Sequence, residues 1–264
     1  MTLRPMRGVS PTEIRQERMM PFRYNIPEKY QKLNTLHLKI IAYVTMLIDH
    51  FALAVIYNAI LVPSFPLKKG TDMYTLYLFY KFLRGVGRTA FPIFCFLIVE
   101  GFFHTRSRAK YAVRLLIFGI VSEIPFDLAI FGKYYYPKYQ NVFFTLLLGL
   151  LLIWEWEHFK NKWYIQVPLA GVLIYAAEFF YTDYGWLGVL LIFIFYLLHE
   201  WRTPQVFFGI FPLFNELPAV LVGYLLLLLY NGKRGRFPKY LGYAIYPVHL
   251  LLFYLLSVRL HNGV

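Results

Sequence analysis

Histidine is the side chain best suited to acid–base chemistry near neutral pH, and this 264-residue chain places His50 beside Asp49 near the middle of a long apolar run. Adjacent residues of a helix point about 100° apart, so Asp49 cannot orient His50, and an orienting carboxylate has to come from another helix. An ionisable group in an apolar setting is costly unless it meets a partner or a cavity, so it marks function by default. The pattern therefore predicts a general acid–base role for His50, and the alternative is a core histidine whose hydrogen bonds are satisfied.

Two charged pairs with helical spacing lie in the apolar runs that follow. Arg84 and Arg88 are four residues apart, and so are Glu123 and Asp127, so each pair shares one face of a helix. Because like charges on one face repel, we expect the arginines to face the acids as a neutral four-charge cluster. Glu123 or Asp127 is then the natural candidate to orient His50. The alternative is that the cluster is structural and only holds the helices together.

Further polar residues are candidates for substrate binding, although several have a structural alternative: Gln140, Asn141, Asp183, Glu100 and His249. Asp183 suits a turn, Glu100 suits a helix-end pair with His104, and His249 suits a hydrogen bond to a carbonyl freed by Pro247. No nucleophile elbow, phosphate-binding loop or zinc-protease motif occurs. Nothing fixes a metal-ligand spacing, so no metal is expected.

The composition indicates which elements must position these residues. Hydrophobic side chains make up 59% of the chain and charged ones only 16%, against about 25% charged in ordinary soluble domains. So few charges cannot cover a water-facing surface. The apolar runs are continuous and do not alternate with polar residues, so helices are expected and a barrel is not. The predicted fold class is all-α, a polytopic transmembrane helical bundle.

About eight or nine membrane segments are expected from the apolar runs, which are residues 38–62, 84–103, 111–131, 141–156, 163–180, 184–198, 205–230 and 241–257. Residues 205–230 are interrupted between Pro212 and Pro218, so this stretch either crosses twice or re-enters as a broken pair. Residues 1–36 form a predicted basic arm, and residues 37–264 a single integral membrane domain. Cys95, the one cysteine, is expected to be a buried inert thiol.

The distribution of lysine and arginine predicts the orientation, because basic loops stay in the cytoplasm. The basic arm places the N-terminus inside, and Glu100 then lies at the cytoplasmic mouth. One outward-facing pocket, with Asp49 and His50 just below it, is expected to collect Arg84, Arg88, Glu123, Asp127, Gln140, Asn141 and Asp183. The same bias, met by anionic lipid headgroups, explains the net charge of +13, so no nucleic acid partner is expected.

Several motifs resemble the TraX family over about residues 36–257. They include Ile48-Asp49-His50, Arg84-Gly85-Val86-Gly87-Arg88, Glu100-Gly101-Phe102-Phe103-His104, Ser122-Glu123-Ile124-Pro125-Phe126-Asp127, Gln140-Asn141, Asp183-Tyr184-Gly185 and Tyr246-Pro247-Val248-His249. The family is named for the F-pilin acetylase and looks related to transmembrane acyltransferases that use cytoplasmic acetyl-CoA. The resemblance implies a multi-pass protein of the bacterial cytoplasmic membrane. It does not imply that pilin is the substrate here.

The resemblance also implies roles for the candidate residues. Acetyl-CoA is the expected acyl donor, and its phosphates would be held by Arg106, Arg108, Lys110, Lys233 and Arg234. His50 would deprotonate an extracytoplasmic amine or hydroxyl of a peptide, sugar or lipid headgroup, and Arg84 or Arg88 would stabilise the oxyanion. Glu123 or Asp127 would orient His50 or bind an acceptor ammonium. A covalent acyl-histidine stays open, as do a non-catalytic assembly factor for surface appendages and a proton- or ion-coupled transporter.

Overall fold

The computed structural model describes residues 26–262, and within them the secondary structure is helical apart from two isolated β-bridges, Leu33 with Tyr230 and Gln140 with Thr182. The predicted all-α class is confirmed. Most of the predicted basic arm, residues 1–25, lies outside the described part of the chain.

The α-helices in chain order are α1 (Thr35–Phe51), α2 (Asp72–Gly87), α3 (Ala90–His104), α4 (Arg108–Phe131), α5 (Val142–His158), α6 (Trp163–Phe179), α7 (Gly185–Leu197), α8 (Arg202–Gly209), α9 (Leu221–Leu228) and α10 (Lys239–Asn262). α1 continues without a break as a π-helix, Ala52–Leu61, and a 3₁₀ turn, Val62–Ser64. Two further 3₁₀ segments are Glu28–Tyr30 and Phe211–Glu216.

Three helical stretches of the described chain are long and apolar enough to cross a membrane: Thr35–Ser64, Asp72–His104 and Tyr240–His261. The shortest has 22 residues, which at 1.5 Å per residue extends about 33 Å, against about 30 Å for the hydrocarbon core. Trp163–Phe179 and Gly185–Leu197 are shorter apolar helices.

The second helical stretch begins earlier than the sequence predicted. It starts at Asp72, where the Thr71 hydroxyl caps the backbone N–H of Tyr74, and Arg84 lies in the last turn of α2. The predicted run of residues 84–103, which would begin at Arg84, is therefore too short at its start. The junction between α2 and α3 falls at Arg88 because Pro92 has no N–H to donate to the Arg88 carbonyl.

α3 is the central helix of the bundle and packs against α1, α5, α7 and α9. Its buried side chains include Ile93, Cys95, Phe96 and Val99. The Cys95 thiol is buried and free, as predicted. On another side of the bundle, α10 packs against α4, α1 and the π-helical end of α1. That arrangement brings the C-terminal helix alongside the helix that carries His50.

α8, the 3₁₀ segment Phe211–Glu216 and α9 form a hairpin along α3. Arg202 at the start of α8 and Tyr230 after α9 both contact Glu100, near the end of α3. Glu216, at the tip of the hairpin, contacts Arg88, which lies just before the start of α3. α8 and α9 have eight residues each, about 12 Å, so neither matches the length of a full span. Gly223 lets α9 approach α3, since a Cβ there would lie 2.8 Å from the Thr89 carbonyl oxygen.

Candidate functional site

Two histidines on different helices form the centre of the site. Nδ1 of His50 on α1 lies 2.7 Å from Nε2 of His249 on α10, and the two rings stack with their centroids 4.9 Å apart. Nδ1 of His249 lies 2.6 Å from the carbonyl oxygen of Ile245, one turn earlier on α10. The side chains are thus linked in a chain from a backbone carbonyl through His249 to His50.

The predicted orienting carboxylate for His50 is wrong, because the partner of His50 is another imidazole. His50 and His249 are 199 residues apart, and only the packing of α10 against α1 brings them together. The structural alternative for His249, a hydrogen bond to a carbonyl, does occur. The acceptor is Ile245, however, and not Tyr243, the residue whose carbonyl Pro247 leaves without its usual helical donor.

Asp49 meets Arg84 across the contact between α1 and α2, and the guanidinium Nη1 donates to the carboxylate Oδ2. Gly87 lies against the same carboxylate, where a Cβ would overlap the Asp49 side chain. Asp49 therefore holds Arg84 in place. Because Asp49 and His50 point in different directions from α1, the two side chains have different partners.

Arg88 has different partners from Arg84. Its Nε lies 3.1 Å from Oε2 of Glu216 at the hairpin tip, and its Nη1 donates to the Tyr184 hydroxyl at 3.1 Å. The predicted four-charge cluster of Arg84 and Arg88 with Glu123 and Asp127 is therefore wrong: the arginines pair with Asp49 and Glu216. The signal that was missed is Glu216, which the sequence showed only as an interruption of an apolar run.

Glu123 and Asp127 hold the loop between α4 and α5. Glu123 Oε1 accepts the backbone N–H of Asn141 at 2.9 Å and also its side-chain amide, and Asp127 Oδ2 accepts the N–H of Tyr136 at 2.7 Å. Asn141 caps α5 by accepting the N–H of Phe143 at 3.0 Å, and its amide donates to the Gly119 carbonyl at 2.8 Å. The N–H of Phe143 is one of the backbone groups that the start of a helix leaves unpaired, and Asn141 satisfies it, while the other contacts hold the loop against α4.

A pocket of about 470 Å³ lies beside Arg88, and its lining includes Tyr139, Glu178, Asp183, Tyr184, Asn215 and Glu216. Asp183 Oδ1 accepts the hydroxyl of Tyr139 at 2.8 Å. Burial raises the pKa of the Asp183 carboxyl, while that hydrogen bond and the charge of Arg88 oppose the rise. Gln140 is not one of the lining residues. Its backbone hydrogen-bonds to the backbone of Tyr181 and Asp183, which do line the pocket. We call this space the acidic pocket.

A second cavity of about 640 Å³ lies between α1, α3, α4, α5 and α10. Five lysine and arginine residues line it: Lys39, Arg106, Lys110, Arg114 and Arg234. Its lining also includes Met46, one turn before His50 on α1, and Tyr246, whose ring centroid lies 5.6 Å from that of His50. The cavity, which we call the basic cavity, therefore extends from a positively charged end to the neighbourhood of His50.

The basic residues predicted to hold a cofactor divide into two groups. Arg106, Lys110 and Arg234 line the basic cavity, whereas Arg108 and Lys233 are not among its lining residues. The Arg108 guanidinium lies 4.1 Å from the centre of the Phe102 ring. Two further lining residues, Lys39 and Arg114, were missed, although an isolated charge on an otherwise apolar helix face was the available signal.

A family model described as "TraX protein" matches residues 35–257. The chain belongs to the TraX family. A relative, "Probable fimbrial assembly protein FimC, serogroup H1" of Dichelobacter nodosus, is 31% identical over 246 residues, covering 81% of this chain and 92% of that protein. No solved structure matches the chain. Family membership and the long apolar helices together make this a membrane protein.

The motifs that resemble the TraX family converge in space. Residues from four of them, Asp49, Arg88, Asp183 and His249, lie at or next to the histidine pair and the acidic pocket. Glu100 from a fifth motif lies elsewhere, on the basic cavity, and accepts the Tyr230 hydroxyl at 2.8 Å, with Nε2 of His199 at 3.3 Å.

The Glu100 motif of this TraX-family chain also joins the hairpin to α3. Arg202, fully buried, stacks 4.4 Å from the centre of the Phe96 ring and reaches Glu100 at 4.0 Å. His104 Nδ1 lies 2.7 Å from the Glu100 backbone carbonyl, so the alternative of a helix-end pair is met only through the backbone, and the Glu100 carboxylate has other partners. Within residues 26–262, no group of three or more His, Cys, Asp or Glu residues is arranged to hold a metal ion.

Proposed function

We propose that this TraX-family chain is an integral membrane acyltransferase. It would transfer an acetyl or similar acyl group from cytoplasmic acyl-CoA to an extracytoplasmic amine or hydroxyl. One observation carries the proposal: a cavity with a basic end extends to Met46 and Tyr246, which lie next to His50. A phosphate-rich donor bound in this cavity would therefore reach the side chains that adjoin the proposed base, His50.

The proposed topology follows from the basic residues. With the basic arm and the loop at Arg106 in the cytoplasm, α1, α4, α6 and α10 run outward, and the α2–α3 unit, α5 and α7 run inward. The α8–α9 hairpin then re-enters from the cytoplasmic side, which gives seven crossings and one re-entrant pair. The basic cavity opens inward, the acidic pocket faces outward, and the protein is a multi-pass protein of the bacterial cytoplasmic membrane.

The donor fits the basic cavity by charge. Lys39, Lys110 and Arg234 would hold the phosphates of acyl-CoA at the cytoplasmic end, and their attraction is strengthened where the cavity walls exclude water. The thioester arm would then extend along the apolar lining of Phe94, Leu146 and Met46 toward His50.

The chemistry is a direct transfer. His50 takes a proton from the acceptor amine or hydroxyl as that nitrogen or oxygen attacks the thioester carbonyl carbon. The new bond forms a tetrahedral intermediate whose oxyanion is stabilised by the positive charge of Arg84 or Arg88. The carbon–sulfur bond then breaks, the CoA thiolate leaves, and His50 returns the proton to that sulfur.

The acceptor would enter through the acidic pocket. Glu178, Asp183 and Glu216 provide hydrogen-bond acceptors for amines and hydroxyls, and Arg88 joins this pocket to the region of Asp49. Peptide, sugar and lipid headgroup acceptors all satisfy this chemistry.

The name of the relative from Dichelobacter nodosus favours a second candidate, a pilus-related membrane protein that takes part in fimbrial assembly without catalysis. The two candidates differ in what happens to envelope molecules. An acyltransferase leaves an acyl group on its acceptor, whereas an assembly factor changes only which subunits reach the surface.

The deciding experiment compares envelope proteins, glycans and lipids by mass spectrometry in cells with and without the protein. Loss of one acyl mass from a single product on deletion, restored by wild type and by His158→Ala but not by His50→Ala, supports the acyltransferase. His158 is the control because it lies at the far end of α5 against Phe159. Full restoration by His50→Ala, or an unchanged envelope with lost fimbriae, would contradict it.

A further inference from the structure

The hydrogen-bonded chain that ends at His50 has a direction. The Ile245 carbonyl can only accept, so Nδ1 of His249, 2.6 Å away, carries the hydrogen. In a neutral imidazole the other nitrogen is then an acceptor, so Nε2 of His249 receives the hydrogen of His50 Nδ1 across 2.7 Å. His50 is left with its hydrogen on Nδ1 and with Nε2 unprotonated.

We propose that His249 is a positioning residue that fixes the tautomer of His50 and so makes Nε2 of His50 the base. The inference rests on the proposed acyltransferase function, which it deepens by naming the basic atom and the group that makes it basic. His249 does not touch the acceptor. It acts through His50, in the way that an orienting partner acts on a catalytic imidazole.

The surroundings keep the two rings in this geometry. The Tyr246 ring meets both imidazoles edge-on, with centroids 5.6 Å from each, and the Phe253 ring meets His249 edge-on at 5.5 Å. His249 is 5% exposed, so a rotated ring would leave a nitrogen without a partner in an apolar wall.

The arrangement also accounts for each proton in the reaction. When His50 Nε2 takes the acceptor proton, the imidazolium keeps its Nδ1–H directed at the lone pair of His249 Nε2, which stabilises the positive charge. The hydrogen on Nε2 of His50 then goes to the departing thiolate, while the hydrogens on Nδ1 of His50 and His249 stay in place. Arg84 and Arg88 are the charged side chains near this step, and each also contacts a carboxylate, Arg84 that of Asp49 and Arg88 that of Glu216.

A spectroscopic test reads the tautomers directly. Protein labelled with ¹⁵N-histidine and reconstituted in nanodiscs gives nitrogen shifts that separate protonated from unprotonated ring nitrogens, with His50→Ala and His249→Gln spectra assigning the signals. We expect hydrogen on Nδ1 of both His50 and His249 at neutral pH. A His50 signal with hydrogen on Nε2, or a doubly protonated His249, would overturn the proposal without reference to any activity.

Paired variants test the role. His249→Gln keeps an acceptor oxygen near the position of Nε2 and should retain kcat within about threefold, whereas His249→Leu should lower kcat roughly 100-fold with an unchanged KM for acetyl-CoA. His261→Leu, on the exposed end of the same helix, is the matched control. Equal losses in the Gln and Leu variants would overturn a positioning role. Absence of acyl transfer by the wild-type protein would refute the acyltransferase function. The tautomers of His50 and His249 would then be tested by the nitrogen spectra alone.

Discussion

Nε of Arg88 lies 3.1 Å from Oε2 of Glu216, and this ion pair ties the junction between α2 and α3 to the tip of the α8–α9 hairpin. Two eight-residue helices that are each too short to cross a membrane are thus anchored at their far end by a charge on another segment. The Arg202 contact with Glu100 anchors the other end of the same hairpin. The hairpin is therefore held at both ends of α3.

A double-mutant cycle should detect the Arg88–Glu216 pair. We expect Arg88→Gln and Glu216→Gln to show a coupling free energy of about 0.5–1 kcal/mol, because the two side chains are 27% and 33% exposed and solvent screens part of the attraction. The measurement is equilibrium unfolding of the four proteins in mixed micelles. The same cycle with Glu200→Gln, an exposed residue outside the acidic pocket, should give a coupling near zero. A coupling free energy of zero between Arg88 and Glu216 would mean that their contact does not contribute to stability.

The fit of Gly87 against Asp49 makes a second prediction. Gly87→Ala places a methyl group into the Asp49 carboxylate, so we expect a loss of about 1–3 kcal/mol in the free energy of unfolding. Gly171→Ala is the matched control, because a Cβ there meets nothing within 4 Å and alanine favours the helix. Thermal unfolding should therefore shift down for the first variant and stay level or rise for the second. A Gly87→Ala protein as stable as wild type would show that Asp49 relaxes freely.

Charge reversal at the mouth of the basic cavity should weaken CoA binding to different extents at two neighbouring residues, Lys233 and Arg234. Arg234 lines the cavity and Lys233 does not. We expect Arg234→Glu to weaken CoA binding about tenfold, a change of about 1.4 kcal/mol, and Lys233→Glu to weaken it less than threefold. Isothermal titration with CoA at two salt concentrations measures both, and added salt should reduce the difference between them. Equal effects would indicate a diffuse field and no specific site.

The capping role of Asn141 can be tested by measuring stability. Asn141→Ala removes the cap of α5 and the bond to the Gly119 carbonyl, so we expect a loss of about 1–2 kcal/mol in the free energy of unfolding. Gln140→Ala removes only a side-chain bond to the Pro137 carbonyl and should cost less than about 0.5 kcal/mol. Similar unfolding temperatures for the two variants would argue against the capping role.

The helical membrane fold could be predicted from the sequence, because hydrocarbon thickness and helical rise set a minimum length that an apolar run either reaches or does not. His50 and the basic loops were also identifiable, since an ionisable group in an apolar run stands out wherever the run folds. The start of the second helix was missed because its first turns mix tyrosines with apolar residues, and its cap is a single hydroxyl on Thr71.

The partner of each charge was decided only by the tertiary structure. Helical spacing reveals which side chains share a face, and so it correctly separated Asp49 from His50, but it contains no information about which distant helix packs against that face. The bundle pairs His50 with His249, Arg84 with Asp49 and Arg88 with Glu216, while Glu123 and Asp127 accept backbone N–H groups of a nearby loop. Shape complementarity between helices selects these neighbours, and that property belongs to whole surfaces, which a linear pattern does not encode.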